Sequence, residues 1–595
     1  MLAPSATFRR VLLGGLCASA LVMGACSGGD KAPAEEIIVD AGTLELSGAN
    51  AEAMERHFSV EPRDGDAAET LERLDVLGLA DMTEGRAIDG STATFTDWRA
   101  TEGNSEVTAA RVVLRGLHET QDGLTKADAI EIEDIRVRDY ETDTDGVDRD
   151  TIDASADRIV LVDPSPQMTG DIALVLRGYQ DSSTPDAVND LSNSMDFRAL
   201  WLEGLEAEVD EMADPGHPIA PRSGTLAVGQ LIVGNDEETE LLDMVLETVS
   251  FRWGQGEAQD GSEDEAAEDD RPDPFTLDMD GLTLMGLDTD QLSGSVPRGA
   301  GAVAGLAASA FAFMAPTAKP PYRQVDLGRM SVSSSLFDLD TDGFEADTQT
   351  EGDTVVMRTV LEPLALAFKD VSATPLGAHM EALRENGLDV VTLKGAATTT
   401  FDAKADRVRV TDGRTEIDEG LRMSCDYSVL GMNAATDALE ASGLTPPTFE
   451  MSDGEDPQAV MDKYMADAQA YSTAQAEANA LIRLEGLDCD VQDVAENSLV
   501  TRGYAVASAV TGKPVAVLKG GAKTMIALSS LTAQSEFQRD LMDTVGSGLI
   551  DFIDTPGQTM TVTMAPETPV ALTSLTGQDG TEPSLAPLGL SVEVK

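Results

Sequence analysis

The sequence predicts a mainly β, α+β fold: extended, curled antiparallel sheets with a few packed helices. Three observations carry this. Short runs alternate apolar and polar residues, as strands with one wet face require. Hydrophobic residues make up 42% of the chain, enough for a substantial core and too many for wholesale disorder. Aromatics make up only 4%, so the core rests on Leu, Val, Ile, Met and Ala.

The chain opens on a targeting segment. Arg9 and Arg10 precede the uncharged run Val11 to Ala25, which ends Met23-Gly24-Ala25-Cys26. A positive start, a short apolar stretch and small residues at a cut site make a secretory signal. The run is too short to span a bilayer as a mature helix. The cysteine after Gly24-Ala25 resembles the lipobox of bacterial lipoproteins, with Met23 where Leu is usual. The resemblance implies that residues 1–25 leave as signal peptide and that Cys26 becomes an acylated N-terminus. Two or more acyl chains at ~0.8 kcal/mol per buried methylene give stable anchoring. Ser27 after the cysteine favours the outer membrane, facing the periplasm, by the sorting rule of that class. Residues 26–35, small, polar and Pro-containing, read as a flexible tether.

Strand-like runs then follow one another. They include Thr43–Leu46, Ala110–Leu114, Ile130–Ile135, Arg158–Val162, Phe275–Met279, Phe337–Leu339, Arg407–Val410 and Met560–Met564. A loose phrase recurs in which an apolar strand ends in Gly-Leu: Gly116-Leu117, Gly204-Leu205, Gly281-Leu282, Gly486-Leu487 and Gly589-Leu590. Its spacing is irregular, which excludes a strict solenoid repeat.

Helices interrupt the strands. Leu241 to Val249 reads as an amphipathic helix. Asp456-Pro457 reads as an N-cap and first turn opening a helix to about Ala480. Phe537 to Ile553 reads as another. The acidic, low-complexity stretch 254–274 is the first expected boundary, and the Pro-, Asp- and Gly-rich stretch 445–457 the second. The expected domains are therefore 36–253, 275–445 and 446–595. Gly299 to Ala315, uncharged and Ala/Gly-rich with Gly301 and Gly305 four apart, reads as a buried or groove-covering helix.

Net charge is −66, from 107 acidic and 41 basic residues. This excludes nucleic-acid binding, which needs a basic footprint. Of four cysteines, Cys17 leaves with the signal and Cys26 is acylated. Cys425 and Cys489 remain, either as a disulfide in an oxidising compartment or as two buried thiols.

Motifs of catalysis fail on inspection. His118-Glu119-Thr120-Gln121-Asp122 has Asp where a zinc hydrolase motif needs its second His. Gly546-Ser547-Gly548 lacks the nucleophile-elbow spacing. Gly520-Gly521-Ala522-Lys523-Thr524 has Ala where a phosphate loop needs Gly. Asp338-Leu339-Asp340-Thr341-Asp342-Gly343 matches the start of a calcium loop, with alternate carboxylates as oxygen ligands. The same letters also read as a strand, with Phe337 and Leu339 inward, running into an Asp-Gly turn, and this is the favoured reading. Calcium on Asp338, Asp340 and Asp342 is the only cofactor expectation.

The end of the chain runs from a helix through Phe552 to Gly557, then a strand, then Pro566-x-x-Pro569-Val570-x-Leu572. It looks like the C-terminal pattern of uncharacterised proteobacterial envelope proteins, which brings no activity with it. The expectation is a non-catalytic envelope scaffold or interaction module, anchored by lipid and meeting an envelope protein partner. The alternative is a carrier of lipid or another apolar ligand in a β-lined groove, as in AsmA-like envelope proteins, which this β-pattern resembles in style only.

Overall fold

The computed structural model describes residues 54, 56–58, 67–68, 70, 83–102, 105–120, 124–142, 148–166, 197–211, 222–236, 241–255, 274–287, 322–369, 377–444, 457–532, 536–571 and 584–595. The lipobox with Cys26, most of the acidic stretch 254–274 and the Ala/Gly-rich segment 299–315 lie outside them. The protein is mainly β with six α-helices among the described residues, in two compact units.

The first unit holds the strands up to Leu287 together with residues 327–335. Its strands are β1 (Thr83–Asp89), β2 (Thr92–Glu102), β3 (Ser105–Arg115), the small pair β4 (His118–Glu119) and β5 (Thr125–Lys126), β6 (Ala129–Thr142), β7 (Asp148–Val162), β8 (Ala199–Glu211), β9 (Arg222–Asp236), β10 (Leu241–Gln255), β11 (Phe275–Leu287) and β13 (Met330–Ser333). Apart from the β4–β5 ribbon, each pairs antiparallel with the next, from β1 through β11 to β13. Consecutive strands joined as neighbours are the simplest antiparallel topology, and alternation along each strand then sorts side chains onto two faces.

Two sequence expectations are corrected here. Leu241 to Val249 is the first part of strand β10, not a helix. On β10, Leu242 and Met244 are buried on one face and Asp243 and Val245 on the other, so no period-2 signal remained to be read. The stretch 254–274 is also no domain boundary, because β10 and β11 flank it and pair from Trp253↔Phe275 onward. It is the connection of a hairpin.

The second unit carries β12 (Gln324–Leu327), β14 (Phe337–Thr341), β15 (Phe344–Glu351), β16 (Thr354–Phe368), β17 (Val390–Asp402), β18 (Arg407–Ile417), β19 (Leu421–Leu430), β20 (Arg483–Asp493), β21 (Thr559–Met564), β22 (Val570–Ala571) and β23 (Leu590–Val594). The long strand β16 pairs with β15 along one half and with β14 along the other. From β16 the ladder runs antiparallel through β17, β18, β19, β20 and β21 to β23. Because β19 and β20 pair, 445–457 is not a boundary either.

The helices are α1 (Gly377–Glu385), α2 (Met432–Ala441), α3 (Pro457–Asn479), α4 (Leu499–Thr511), α5 (Val515–Thr532) and α6 (Glu536–Asp554). Helix α3 starts at Pro457 and α6 covers the Phe537–Ile553 run, as their sequences predict. The start of α4 is fixed by Ser498, whose hydroxyl accepts from the Thr501 N–H and donates to the Asp493 carboxylate at 2.6 Å. Gly512 in the left-handed region ends α4. The Gly546-Ser547-Gly548 run sits in α6 for packing reasons. A Cβ on Gly546 would lie 2.8 Å from Ile526 of α5, and one on Gly548 would lie 2.5 Å from Val592 of β23.

Candidate functional site

A line of kinks divides the first unit's sheet into two halves. Alternate strands carry one residue at positive φ at the same lateral level: Asp97 on β2, Asp134 on β6, Gly204 on β8 and Thr248 on β10. Next to it runs a polar row of register partners: Arg111, Glu133, Arg158, Glu203, Gln230 and Glu247. The pairing register is the same on both sides of the line in β7–β8, β8–β9 and β9–β10, so no residue is inserted. The buried phase, however, steps by one. On β2, Phe95 is buried, Thr96 and Asp97 are exposed, and burial resumes at Trp98. On β8, burial resumes at Leu205 after Glu203 and Gly204. A left-handed residue breaks the pleat locally, which is why two polar residues in succession are tolerated mid-strand.

One half is closed on both faces. One face carries the row Leu114, Ile130, Leu161, Leu200, Val233 and Met244, all buried. On the other face Val160, Trp201, Ile232 and Val245 line up across β7 to β10, packed under Met54 and Phe58. The Phe58 ring meets Trp201 edge-on at 6.3 Å. The segment carrying Met54 and Phe58 is tied down by charge. Asp243 accepts from Arg56 Nη2 at 2.9 Å and lies 3.1 Å from His57 Nε2, while its other oxygen accepts the Gly286 N–H at 2.7 Å.

A carboxylate interrupts that second face. Glu131 sits in line with Val113 and Val160, yet its side chain is only 5% exposed. Arg115 approaches it at 3.0 Å and Arg158 at 2.6 Å. The Arg158 guanidinium lies 4.7 Å from the Trp201 ring centre. Burial works to raise the Glu131 pKa, but the two guanidiniums overcome it and hold the carboxyl below its usual range. The group is an ionised structural knot.

The other half is open on one side. There the strands alternate cleanly. Val137, Ala154, Ala207, Leu226, Phe251 and Leu277 are successive register partners from β6 to β11, and all six are only half-buried. Beside them Trp253 and Phe275 pair across β10 and β11, and Phe251 and Phe275 ring centres lie 6.0 Å apart. The opposite face of the same strands is charged. Arg136 and Arg138 pair with Asp153, and Ser250 donates to Asp278 at 2.7 Å. An uncharged lane six strands wide, backed by a wetted face, can hold a long apolar ligand by burial alone. It offers no nucleophile, base or oxyanion donor. The lane was not singled out from the sequence. Its signal was the pairing of Val137, Leu226, Phe251 and Leu277 at one level, which needs the register.

The other predicted residues fall as follows. Asp338 and Asp340 stand two apart on strand β14, opposite Ala367 and Ala365 of β16, and Asp338 pairs with Lys369 at 2.7 Å. Asp342 lies in the turn to β15, and its N–H donates to the Pro363 carbonyl. Of the two readings of these residues, the backbone takes strand and turn, and an extended strand spreads its carboxylates instead of wrapping them round a point. No group of three or more His, Cys, Asp or Glu side chains suited to a metal occurs among the described residues. His118 and Glu119 form strand β4, with His118 Nδ1 2.7 Å from the Gly116 carbonyl oxygen. Cys425 and Cys489 stand directly opposite each other on β19 and β20, Cα atoms 4.1 Å apart, with their sulfurs joined.

Comparisons with known proteins bear on the end of the chain. Residues 429–595 match a family model described as "Uncharacterized protein". The matched stretch spans helices α2 to α6 and strands β20 to β23, and holds Cys489 but begins after Cys425. No curated protein matches the chain.

Proposed function

We propose that this chain is a lipid-anchored, non-catalytic envelope protein that carries an apolar ligand of acyl-chain chemistry on its first unit. The observation that supports this reading most is the half-buried row from Val137 to Leu277, uncharged across six strands of a chain with 107 acids. A ligand there gains by apolar burial, at about 25 cal/mol per Å² of surface removed from water. The anchor at Cys26 places the protein at the outer membrane, facing the periplasm, where acyl chains are the abundant apolar cargo. No metal or other cofactor enters this reading.

The scaffold reading retains one supporting observation. Helix α3 packs on α2 and leaves Met461 and Met465, one turn apart, 43% and 59% exposed. A protein partner would cover them.

The test is native mass spectrometry of the Cys26→Ser chain, with and without calcium. We expect release from salt-washed membranes and a co-purifying mass of lipid size, lost at least fivefold in Ala207→Trp, which fills the lane. A chain that resists the salt wash as firmly as the parent sinks the anchor. A parent that binds no lipid, even when fatty acid is supplied, sinks the carrier.

A further inference from the structure

Helices α4 and α5 depart from the acidic pattern of the chain, as residues 291–325 also do. From residue 497 to 535 there is no Asp or Glu, in a chain where 107 of 595 residues are acidic. The same segment carries four cations: Arg502, Lys513, Lys519 and Lys523. Helix α5 also exposes an apolar stripe. Val517, Met525 and Leu528 are 56%, 71% and 49% exposed, and Val510 of α4 is 40% exposed. Spacings of eight and three place Val517, Met525 and Leu528 on one side of α5, with Gly521 between them. The inner side of α5 is occupied by α6, with Ile526 against Gly546.

Two nearby carboxylates are paired with these cations. Asp554 of α6 is paired by Lys523, and Asp418 by Arg502. Lys519 donates to the Ile553 carbonyl at the end of α6. Lys513 is exposed in the turn between α4 and α5.

We infer that the α4–α5 hairpin docks on an anionic bilayer surface, with the Val517–Met525–Leu528 stripe entering the headgroup layer and Lys513 beside it. The charge argument selects this occupant. A surface of anionic headgroups repels carboxylates, so an acidic chain approaches it through a segment that has none. Apolar side chains beside lysines are the composition of interfacial helices. No described helix is long and apolar enough to cross a membrane, so the contact lies in the surface plane. The inference uses neither the apolar lane nor the acyl anchor, so its failure leaves both standing.

The test uses the Cys26→Ser chain, so that no acyl chain carries it to lipid. It is floated with vesicles of phosphatidylglycerol and phosphatidylethanolamine, and separately with phosphatidylcholine vesicles. The expected result is flotation with the anionic vesicles only, reduced at least fivefold in Val517→Asp/Met525→Asp. Both positions are exposed, so the fold is retained, which far-UV circular dichroism checks. The variant Leu528→Trp, which adds interfacial apolar surface, is expected to float at least as well as the parent. Equal flotation with phosphatidylcholine overturns the inference. So does flotation unchanged by the double Asp variant, or self-association of the free chain that the same variant abolishes.

Discussion

Replacing Glu131 by Gln tests whether the buried knot is held by charge. The change keeps the side chain's size and one acceptor oxygen but removes the negative charge facing Arg115 and Arg158. Removing one partner of a buried ion pair costs ~3–5 kcal/mol, because the remaining charge stays desolvated. Arg115 is 35% exposed and reaches water, whereas Arg158 is 16% exposed and packs on Trp201. The penalty therefore rests mainly on Arg158 and falls at the lower end, about 3 kcal/mol. With a urea slope of ~1–3 kcal/mol per molar, the unfolding midpoint drops by roughly 1–3 M. The assay is urea unfolding followed by tryptophan fluorescence, which is specific because Trp98, Trp201 and Trp253 all lie in the first unit. The pH dependence gives a second check. The folded pKa of Glu131 lies below its ordinary value, so its contribution is complete at neutral pH. It is lost as pH falls below the ordinary carboxylate range and through the folded pKa. The gap between parent and variant is therefore constant from neutral to mildly acidic pH and shrinks in stronger acid. A difference below about 0.5 kcal/mol at pH 7, the level of an ordinary surface substitution, refutes the reasoning.

Two further predictions follow from the strands. Thr248→Gly relieves a β-branched residue held at φ 49° and raises stability by roughly 0.5–1 kcal/mol. Gly204→Ala at the same lateral level lowers it by roughly 2 kcal/mol, since its Cβ would lie 2.2 Å from an Asp157 carboxylate oxygen. Opposite signs in thermal or urea unfolding are the result to look for, and equal signs would remove the kink argument. Converting both Cys425 and Cys489 to Ala opens a link across 64 residues of sequence and lowers the second unit's stability by about 4 kcal/mol on loop entropy. Thiol titration of the unfolded, unreduced parent should find neither cysteine free, and two free thiols would contradict the pairing.

The β class was legible because alternation survives wherever one strand face meets water, as in β18 and β21. Helix α3 was legible from Asp456-Pro457, and α6 from its apolar periodicity. Strand β10 was misread because both its faces are buried near Leu242 and Val245, which erases the alternation. The boundaries at 254–274 and 445–457 were misread because composition shows where a chain is loop-like, not whether the flanking strands pair. Helices α1, α2, α4 and α5 went unread. In α5 the pair Gly520-Gly521 was weighed only as a phosphate loop. The recurring Gly-Leu phrase has a partial explanation: Gly116, Gly204 and Gly589 take positive φ, whereas Gly281 and Gly486 do not. The disulfide was legible as a choice between bonded and free thiols, and the register of β19 on β20 supplies what spacing alone could not.

The kink line has a consequence for how such a protein can change size. Positive-φ residues occur on β2, β6, β8 and β10 and skip the strands between them. The smallest unit that preserves the pattern is thus one kinked strand with one straight neighbour. Lengthening by such a hairpin would widen the apolar lane by about 9–10 Å, at the inter-strand spacing of ~4.8 Å, and leave every existing partner in place. An insertion of a single strand would put two kinks side by side or two straight strands together, and the step in burial would no longer run true across the sheet. Gain or loss of lane width in proteins built this way should therefore come in increments of two strands.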